Sequence, residues 1–228
     1  MPEEVSTWAI VVAGGEGARL GAGRPKAFVG FAGRVLLAPA IELMENHPAV
    51  DGIVVVVPAG WEEPATLLSD ELAVGKLRSA VAGGATRARS VAAGLAELPA
   101  EAGIVLVHDA ARPLASPQLV SRVLEGLAGG ADGVVPAVPV ADTVKRLDGE
   151  RVVETLDRSA LRAVQTPQAF LAGSLRRAYA QAAGGLDTAT DCASVLEAAG
   201  MLVVTVAGER VNIKVTEPDD LRLAESLR

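Results

Sequence analysis

The chain has a single cysteine, Cys192, among its 228 residues. One thiol excludes an internal disulfide and a cysteine-rich zinc site, and it fits a reducing compartment. The N-terminus from Met1 to Glu4 carries two glutamates where a secretory signal would be basic. No apolar run reaches the roughly 18 residues that a membrane span needs. We therefore predict a cytoplasmic protein that does not contact a membrane.

Aromatic residues are also scarce, at 3%, although half of the residues are hydrophobic. The core must therefore consist mainly of Ala, Val, Leu and Ile side chains, and a chain of this length can bury roughly 70–75% of its unfolded surface. The formal net charge of −7 argues against a broad nucleic-acid-binding face. A local basic pocket for a small anion remains compatible with that charge.

Short β-branched runs alternate along the chain with longer stretches rich in Ala and Leu. The runs are continuously apolar, which is typical of strands covered on both faces. This βαβ alternation predicts an α/β fold, a three-layer αβα sandwich with a mostly parallel, Rossmann-like sheet in a single domain over residues 1–228. The predicted strands are Trp8–Ala13, Gly52–Val57, Arg78–Val81, Ile104–Val107, Gly133–Ala137 and Leu202–Val206. The predicted helices are Arg34–Asn46, Thr86–Leu98, Pro117–Ala128, Gly173–Ala183, Thr190–Ala199 and a last one capped by Thr216.

One segment, residues 140–162, is too charged for the core of a sheet. Within it, Asp148-Gly149 is typical of a tight turn between two strands, Thr143–Arg146 and Val152–Thr155. We therefore predict a β-hairpin arm that projects from the body of the protein.

A glycine-rich segment follows the first predicted strand: Ala13-Gly14-Gly15-Glu16-Gly17-Ala18-Arg19-Leu20-Gly21, and then Arg24-Pro25-Lys26. Glycines in this place let backbone N–H groups approach phosphate oxygens. The dinucleotide fingerprint fails because Leu20 stands where its third glycine should be, and no glycine is followed by Lys and then Ser or Thr as in a P-loop. A tight turn with two solvated cations is the plainer alternative.

Two observations favour a phosphate site over that alternative. Ligands of such folds bind at the carboxyl ends of the strands, where this loop lies. Lysine is rare, with Lys26, Lys76, Lys145 and Lys214 the only four among 21 cationic residues. Lysine supplies a compact point charge where the planar fork of arginine would not serve.

Two further segments end predicted strands on the same side. Gly83-Gly84-Ala85-Thr86-Arg87-Ala88-Arg89-Ser90-Val91 joins the third strand to its helix, and Val107-His108-Asp109-Ala110-Ala111-Arg112-Pro113 closes the fourth. A carboxylate at a strand end beside a phosphate loop is well placed to hold Mg²⁺. The alternative role for Asp109 is to cap the next turn.

The pattern A-G-G-x-G-x-R-L-G followed by P-K resembles the signature of the nucleotidylyltransferases. Four later motifs narrow the resemblance, and they begin at His108 (H-D-A-A-R-P), Asp142 (D-T-V-K), Thr166 (T-P-Q) and Asn212 (N-I-K-V-T). From about Ala9 to the C-terminus, the chain resembles the 2-C-methyl-D-erythritol 4-phosphate cytidylyltransferase family.

This resemblance implies transfer of a cytidylyl group from CTP to a polyol phosphate by a homodimer, each arm reaching the acceptor site of the partner subunit. The catalytic cations would be Arg19, Lys26, Arg158 and Lys214. The residues in contact with substrate would be Ala13, Gly14, Gly15, Gly17, Gly83, Gly84, Ser90, Asp109, Arg112, Thr143 and Thr166. Asp109 would also bind the cofactor, Mg²⁺ or another divalent cation. No nucleic acid and no membrane partner is implied.

The chain departs from the family pattern at Ala85, where such enzymes often carry an acidic residue near the base. We expect base selection to rest on backbone groups and Ser90. Two alternatives stay open. Ribitol 5-phosphate cytidylyltransferases share nearly all of these motifs, and a nucleotide-binding module without turnover would keep the loop but not need cations directed at the α-phosphate.

Overall fold

Twelve strands and seven α-helices occur in the residues that the computed structural model describes, which are 5–15, 17, 23–182 and 184–228. The strands are β1 (Thr7–Val12), β2 (Gly30–Phe31), β3 (Arg34–Val35), β4 (Gly52–Val57), β5 (Leu77–Ala82), β6 (Ile104–Asp109), β7 (Gly133–Pro139), β8 (Lys145–Asp148), β9 (Arg151–Thr155), β10 (Arg162–Val164), β11 (Gln168–Leu171) and β12 (Val203–Ala207). The helices are α1 (Leu37–Glu45), α2 (Glu62–Glu71), α3 (Arg87–Ala96), α4 (Pro117–Gly126), α5 (Ala172–Gln181), α6 (Cys192–Ala198) and α7 (Pro218–Ser226).

Eight of these strands form one sheet, in the order β5-β4-β1-β6-β11-β7, with β10 and β12 also paired to β7. Strands β1, β4, β5 and β6 pair in parallel, as do β7 and β12. Val134 of β7 pairs with Ala169 on one side and Val204 on the other. Strands β10 and β11 therefore share one edge of β7, antiparallel to it, and β12 lies along the opposite edge. The predicted mostly parallel α/β sheet is confirmed.

Both faces of the sheet are covered, because alternate residues of each central strand enter different apolar clusters. In β1, Ala9 and Val11 pack into one cluster together with α1 and α4, while Ile10 and Val12 pack into the other together with α3, α5 and α6. All six residues of β4 are buried. Each fully buried Val or Ile side chain contributes roughly 1.5–3 kcal/mol relative to exposure, so this arrangement requires the continuously apolar strands seen in the sequence.

Several predicted element boundaries are wrong. Arg34 belongs to the short strand β3, so the first helix begins only at Leu37. The predicted cap of the last helix, Thr216, lies one residue too early, since Glu217 is the N-cap and forms a capping box with Asp220. The end of the predicted fourth helix, Ala183, lies outside the described residues.

Five elements were missed because their sequence signals are weak: helix α2 and the short strands β2, β3, β10 and β11. Helix α2 buries only Ala65 and Ser69, so it lacks the apolar periodicity of an amphipathic helix. Strands β10 and β11 are three and four residues long and follow the polar arm. In the described part of the chain, no helix combines the length and the apolarity that crossing a membrane requires.

The polar segment forms the predicted hairpin, with β8 and β9 paired antiparallel. The turn residues are Gly149, at φ +57°, and Glu150, because Asp148 still pairs with Arg151; the predicted Asp148-Gly149 turn is therefore one residue early. Every residue of both strands is exposed. These exposed strands include apolar side chains, Leu147, Val152 and Val153.

Gly94 allows α3 to pack closely on the sheet. An added Cβ there would lie 2.7 Å from Ile10 Cγ2 and 3.0 Å from Val56 Cγ2, and both of these side chains are fully buried. We expect Gly94→Ala to lower the free energy of unfolding by about 1–3 kcal/mol, although Ala is favoured over Gly in a helix by about 1 kcal/mol. Gly173→Ala in α5 is the matched control, since its Cβ would meet nothing within 4 Å. Urea unfolding of both variants measures the difference, and equal stability would contradict the packing argument.

Candidate active site

The carboxyl ends of four parallel strands meet at one edge of the sheet, where a cavity of about 560 Å³ opens. Val12 at the end of β1 pairs with Asp109 at the end of β6. The chain leaving β1 stays close to β4, since the Ala13 N–H donates to the Val56 carbonyl at 2.7 Å. The Gly83 N–H likewise donates to the Val57 carbonyl at 2.7 Å. Three loops thus leave the sheet together around the cavity.

The glycine-rich loop forms one wall of this cavity. Its backbone passes so close to the following segment that an added Cβ at Gly17 would lie 2.9 Å from Lys26 N, and Gly17 also has φ +73°, which favours glycine. The Lys26 N–H donates to the Gly15 carbonyl at 3.1 Å, which fixes Lys26 beside the loop. The predicted residues that line the cavity here are Ala13, Gly14, Gly15, Gly17 and Lys26. Predicted Arg19 lies outside the described residues.

The loop between β5 and α3 also lines the cavity. Ser90, near the start of α3, contacts both this loop and the glycine loop. The Ser90 hydroxyl donates to the Thr86 carbonyl at 3.0 Å. The same hydroxyl group packs closely against two glycines. A Cβ added at Gly14 would lie 3.2 Å from Ser90 Oγ, and a Cβ added at Gly83 would lie 2.7 Å from it. Of the predicted residues Gly83, Gly84 and Ser90, the structure places Gly84 and Ser90 on the cavity lining, whereas Gly83 packs against Ser90 and is not among the lining residues.

Each carboxylate oxygen of Asp109 accepts a hydrogen bond from a cationic side chain. Arg87 Nε donates to Oδ1 at 2.9 Å, and Lys214 Nζ donates to Oδ2 at 2.7 Å. The Asp109 side chain is 9% exposed and that of Lys214 is 41% exposed. Burial alone would raise the pKa of Asp109, but the Arg87 and Lys214 cations outweigh it and hold this pKa well below its usual range. Asp109 is therefore a carboxylate at neutral pH.

A second cavity of about 210 Å³ adjoins the first. Arg87, Asp109 and Lys214 line both cavities, so they mark the place where the two meet. The residues that line only the smaller cavity are Arg112, Val164, Gln165, Thr166, Gln168, Thr190 and Asp191. The predicted substrate-binding residues Arg112 and Thr166 thus lie on the smaller cavity, separate from the glycine loop.

Lys214 reaches this junction because hydrogen bonds hold its segment against β6 and the residues before β11. The Val215 N–H donates to the Ala111 carbonyl at 2.8 Å. Arg112 Nη1 donates to the Asn212 carbonyl at 2.8 Å, and Asn212 Nδ2 donates to the Thr166 carbonyl at 2.9 Å. Asn212 and Val215 of the N-I-K-V-T motif therefore hold Lys214 at the junction of the two cavities through hydrogen bonds.

Thr166 supports Asp109 from below. Its hydroxyl oxygen accepts from the Asp109 N–H at 3.0 Å and lies 3.1 Å from Nδ1 of His108. His108 is fully buried, and burial lowers its pKa to about 4. It is neutral at pH 7 and adds no third positive charge beneath the site.

The donor set is compatible with a divalent cation that arrives with a triphosphate. Within the described part of the chain, no three His, Cys, Asp or Glu side chains are grouped to hold a metal, and Asp109 is the one carboxylate among the described residues of the larger cavity. Each carboxylate oxygen has two lone pairs, so Asp109 can accept one metal bond besides its two cations. Mg²⁺ commonly uses one or two carboxylates together with substrate phosphates.

The sequence did not identify every residue of the two cavities. Arg87 was missed because nothing in the sequence separates it from Arg89, which pairs instead with Asp187. Gln168, Thr190 and Asp191 were missed as site residues, although Gln168 ends the T-P-Q motif. Two predicted residues, Thr143 and Arg158, belong to the arm and line neither cavity of their own chain.

The ion pairs of Asp109 predict a pH dependence of stability. Because the pKa of Asp109 is lower in the folded protein, its stabilising contribution is present at neutral pH and is lost as the pH falls below about 5. In EDTA and without nucleotide, the free energy of unfolding of the wild type should fall more steeply than that of Asp109→Asn between about pH 6 and pH 3, by about 1 kcal/mol. Parallel curves from urea unfolding would show that Asp109 is not held as an ion pair.

Comparison with known proteins assigns this geometry to a family. The family model described as IspD, 2-C-methyl-D-erythritol 4-phosphate cytidylyltransferase, matches residues 7–227. A protein of that name from Rubrobacter xylanophilus is 46% identical over 220 residues, covering 96% of this chain and 93% of that protein. One from Nocardia farcinica is 48% identical over 223 residues, covering 97% and 94%.

Solved structures agree with the sequence relatives. A 4-diphosphocytidyl-2C-methyl-D-erythritol synthase from Anaerococcus prevotii superposes with a TM-score of 0.85 at 28% identity, over 98% of both chains. A 2-C-methyl-D-erythritol 4-phosphate cytidylyltransferase from Thermus thermophilus does so with a TM-score of 0.77 at 37% identity, also over 98% of both chains. The chain therefore belongs to the 2-C-methyl-D-erythritol 4-phosphate cytidylyltransferase family.

Proposed function

We propose that this protein transfers the cytidylyl group of CTP to 2-C-methyl-D-erythritol 4-phosphate, forming 4-diphosphocytidyl-2-C-methyl-D-erythritol and pyrophosphate. The observation that carries the proposal is the pair of cavities that meet at Asp109 and Lys214. The larger cavity has the glycine loop and suits a triphosphate, and the smaller one has cationic walls and suits a phosphate monoester. Family membership supports the same reaction.

The chemistry is an in-line displacement at the α-phosphorus of CTP. A phosphate oxygen of the acceptor forms the new P–O bond, and the bond to the pyrophosphate oxygen breaks. The acceptor phosphate is largely ionised at pH 7, because its second pKa is near 6, so the reaction needs no general base. Catalysis then consists of aligning two anions and neutralising the charge that develops.

The cations of the site divide this work. Lys26 is fixed beside the glycine loop and stabilises charge on the α-phosphate and the leaving pyrophosphate, and Arg19 of the same segment is assigned the same role. Lys214 lines both cavities, so its ammonium group can hold the acceptor phosphate against the α-phosphorus. Asp109 positions Lys214 through their ion pair.

We also propose Mg²⁺ as the cofactor, bound by Asp109 and by the phosphates of CTP. When bound, the ion would neutralise part of the triphosphate charge. The protein side of the site is strongly cationic, with Lys26, Arg87 and Lys214 on the larger cavity. These cations would repel a free metal ion, so we propose that the metal enters already bound to the phosphates of the nucleotide.

The arm supports the proposal of a homodimer. Every residue of its strands is exposed, including Leu147, Val152 and Val153, and a second copy of the chain would bury these apolar side chains. Thr143 and Arg158 lie on the same arm, away from the cavities of their own subunit. A cytoplasmic location is proposed as well, because the one cysteine is buried and unpaired.

A pyrophosphate-release assay tests the reaction itself. We expect release with CTP and 2-C-methyl-D-erythritol 4-phosphate, loss of release in EDTA, recovery with Mg²⁺, and slower turnover with ATP, GTP and UTP. Ribitol 5-phosphate serves as the competing acceptor. Faster turnover with ribitol 5-phosphate would contradict the proposed acceptor, and absence of release with every pair of substrates would leave a nucleotide-binding module.

Mixing two inactive variants tests the shared site. Lys26→Ala should lose roughly 10²–10³-fold in kcat, as removal of a preorganised charge donor does, and Arg158→Ala should be nearly inactive through loss of an acceptor contact. If Arg158 acts in the partner subunit, one site of a mixed dimer carries both defects and the other carries neither. Random exchange leaves about half of the dimers mixed, so about a quarter of wild-type activity should return.

The control for this experiment is native mass spectrometry, which counts the mixed dimers directly. Heterodimers without recovered activity would show that Arg158 serves its own subunit. A chain that stays monomeric at assay concentrations would contradict the dimer.

A further inference from the structure

The side-chain amide of Gln168 is buried in a fixed orientation with its oxygen unused. Gln168 begins β11 and is 1% exposed. Its Nε2 donates to Asp191 Oδ2 at 3.0 Å, and the carboxylate would repel Oε1, so the amide cannot be turned round. Oε1 is one of the described buried polar atoms without a hydrogen-bond partner.

Asp191 is itself held in place, which makes this orientation firm. It is the N-cap of α6, and its Oδ1 accepts from the Ser194 N–H at 2.9 Å. One carboxylate oxygen thus fixes the start of the helix while the other fixes Gln168. Because the hydrogen bond to Ser194 holds the Asp191 carboxylate, this carboxylate cannot move to accommodate a rotated Gln168 amide.

Gln168 lies at the part of the smaller cavity that the nucleotide cavity does not share. Under the proposed function, the acceptor phosphate must lie at the junction formed by Arg87, Asp109 and Lys214, because it attacks the α-phosphorus there. The carbon chain of the acceptor then extends away from the junction, toward residues such as Gln168 and Thr190.

An unpaired amide oxygen requires a hydrogen-bond donor. A phosphate ionised at pH 7 has little donor capacity, and the neighbouring Asp191 carboxylate would repel it, whereas a hydroxyl group can donate. A buried acceptor that lacks a donor is destabilising, so a hydrogen bond from a ligand hydroxyl group would be favourable. We infer that Gln168 Oε1 accepts a hydrogen bond from a hydroxyl group of the acceptor polyol, which makes Gln168 a specificity-determining residue; this inference rests on the proposed function.

The test compares acceptors that differ by one hydroxyl group. Gln168→Met keeps the length of the side chain and removes the acceptor atom. We expect kcat/KM for 2-C-methyl-D-erythritol 4-phosphate to fall about 10-fold, the upper end for one neutral hydrogen bond, with the KM for CTP unchanged. For the one monodeoxy analogue that lacks the recognised hydroxyl, the wild type and Gln168→Met should react equally fast.

A merely structural role for Gln168 would give a different pattern. Equal loss with the acceptor and with every monodeoxy analogue would overturn the inference, as would no loss at all. Wild-type protein that turns over no acceptor would instead contradict the proposed function, and the inference with it.

Asp191→Asn is the second variant, because Asn keeps the N-cap preference but lets the Gln168 amide turn either way. It should weaken discrimination of the same hydroxyl, and to a smaller degree than Gln168→Met. If Gln168→Met does not fold, this variant carries the test: unchanged discrimination in Asp191→Asn would then overturn the inference. Thermal unfolding of both variants separates loss of recognition from loss of fold.

Discussion

The carboxylate of Asp109 is shared by two cations that are distant in the sequence, Arg87 at the start of α3 and Lys214 after the last strand of the sheet. A nearly buried carboxylate without partners would be strongly destabilising, and two unpaired cations in the same place would repel each other. Each member of the group therefore fixes the others. The charge arrangement that substrate meets exists before substrate binds, which is the condition for electrostatic catalysis with little reorganisation.

The parallel sheet supplies the geometry on which this arrangement depends. Strands β1, β4, β5 and β6 all end at one edge, so the glycine loop, the Ser90 loop and Asp109 come together although nearly a hundred residues separate the first from the last. The apolar clusters on both faces hold the strands in register. Loops can then differ in chemistry without disturbing the scaffold.

An acidic protein here carries a cationic site. The net charge of −7 discourages long polyanions, while Lys26, Arg87, Arg112 and Lys214 create a local positive field around the two cavities. His108 is buried and neutral and Asp191 caps a helix, so neither residue adds to the positive charge of the site. Such a distribution favours two small phosphates over a polymer.

Composition and apolar periodicity were sufficient to predict the α/β class and the mostly parallel sheet, because burying both faces of a sheet restricts which residues can occur in its strands. The hairpin was predicted from the polarity of its segment and from the Asp148-Gly149 turn signal. The glycine loop, Lys26 and Asp109 were singled out by residue type and by their place after the strands, and Lys214 was singled out by the family resemblance; all of them line one cavity. The pairing of Arg87 with Asp109, the antiparallel β10 and β11, and the unused oxygen of Gln168 were not predictable. Each depends on contacts between residues far apart in the chain: Arg87 and Arg89 are alike in sequence, and only the packing of α3 on the sheet, against β1, β4 and β5, decides which of them reaches Asp109.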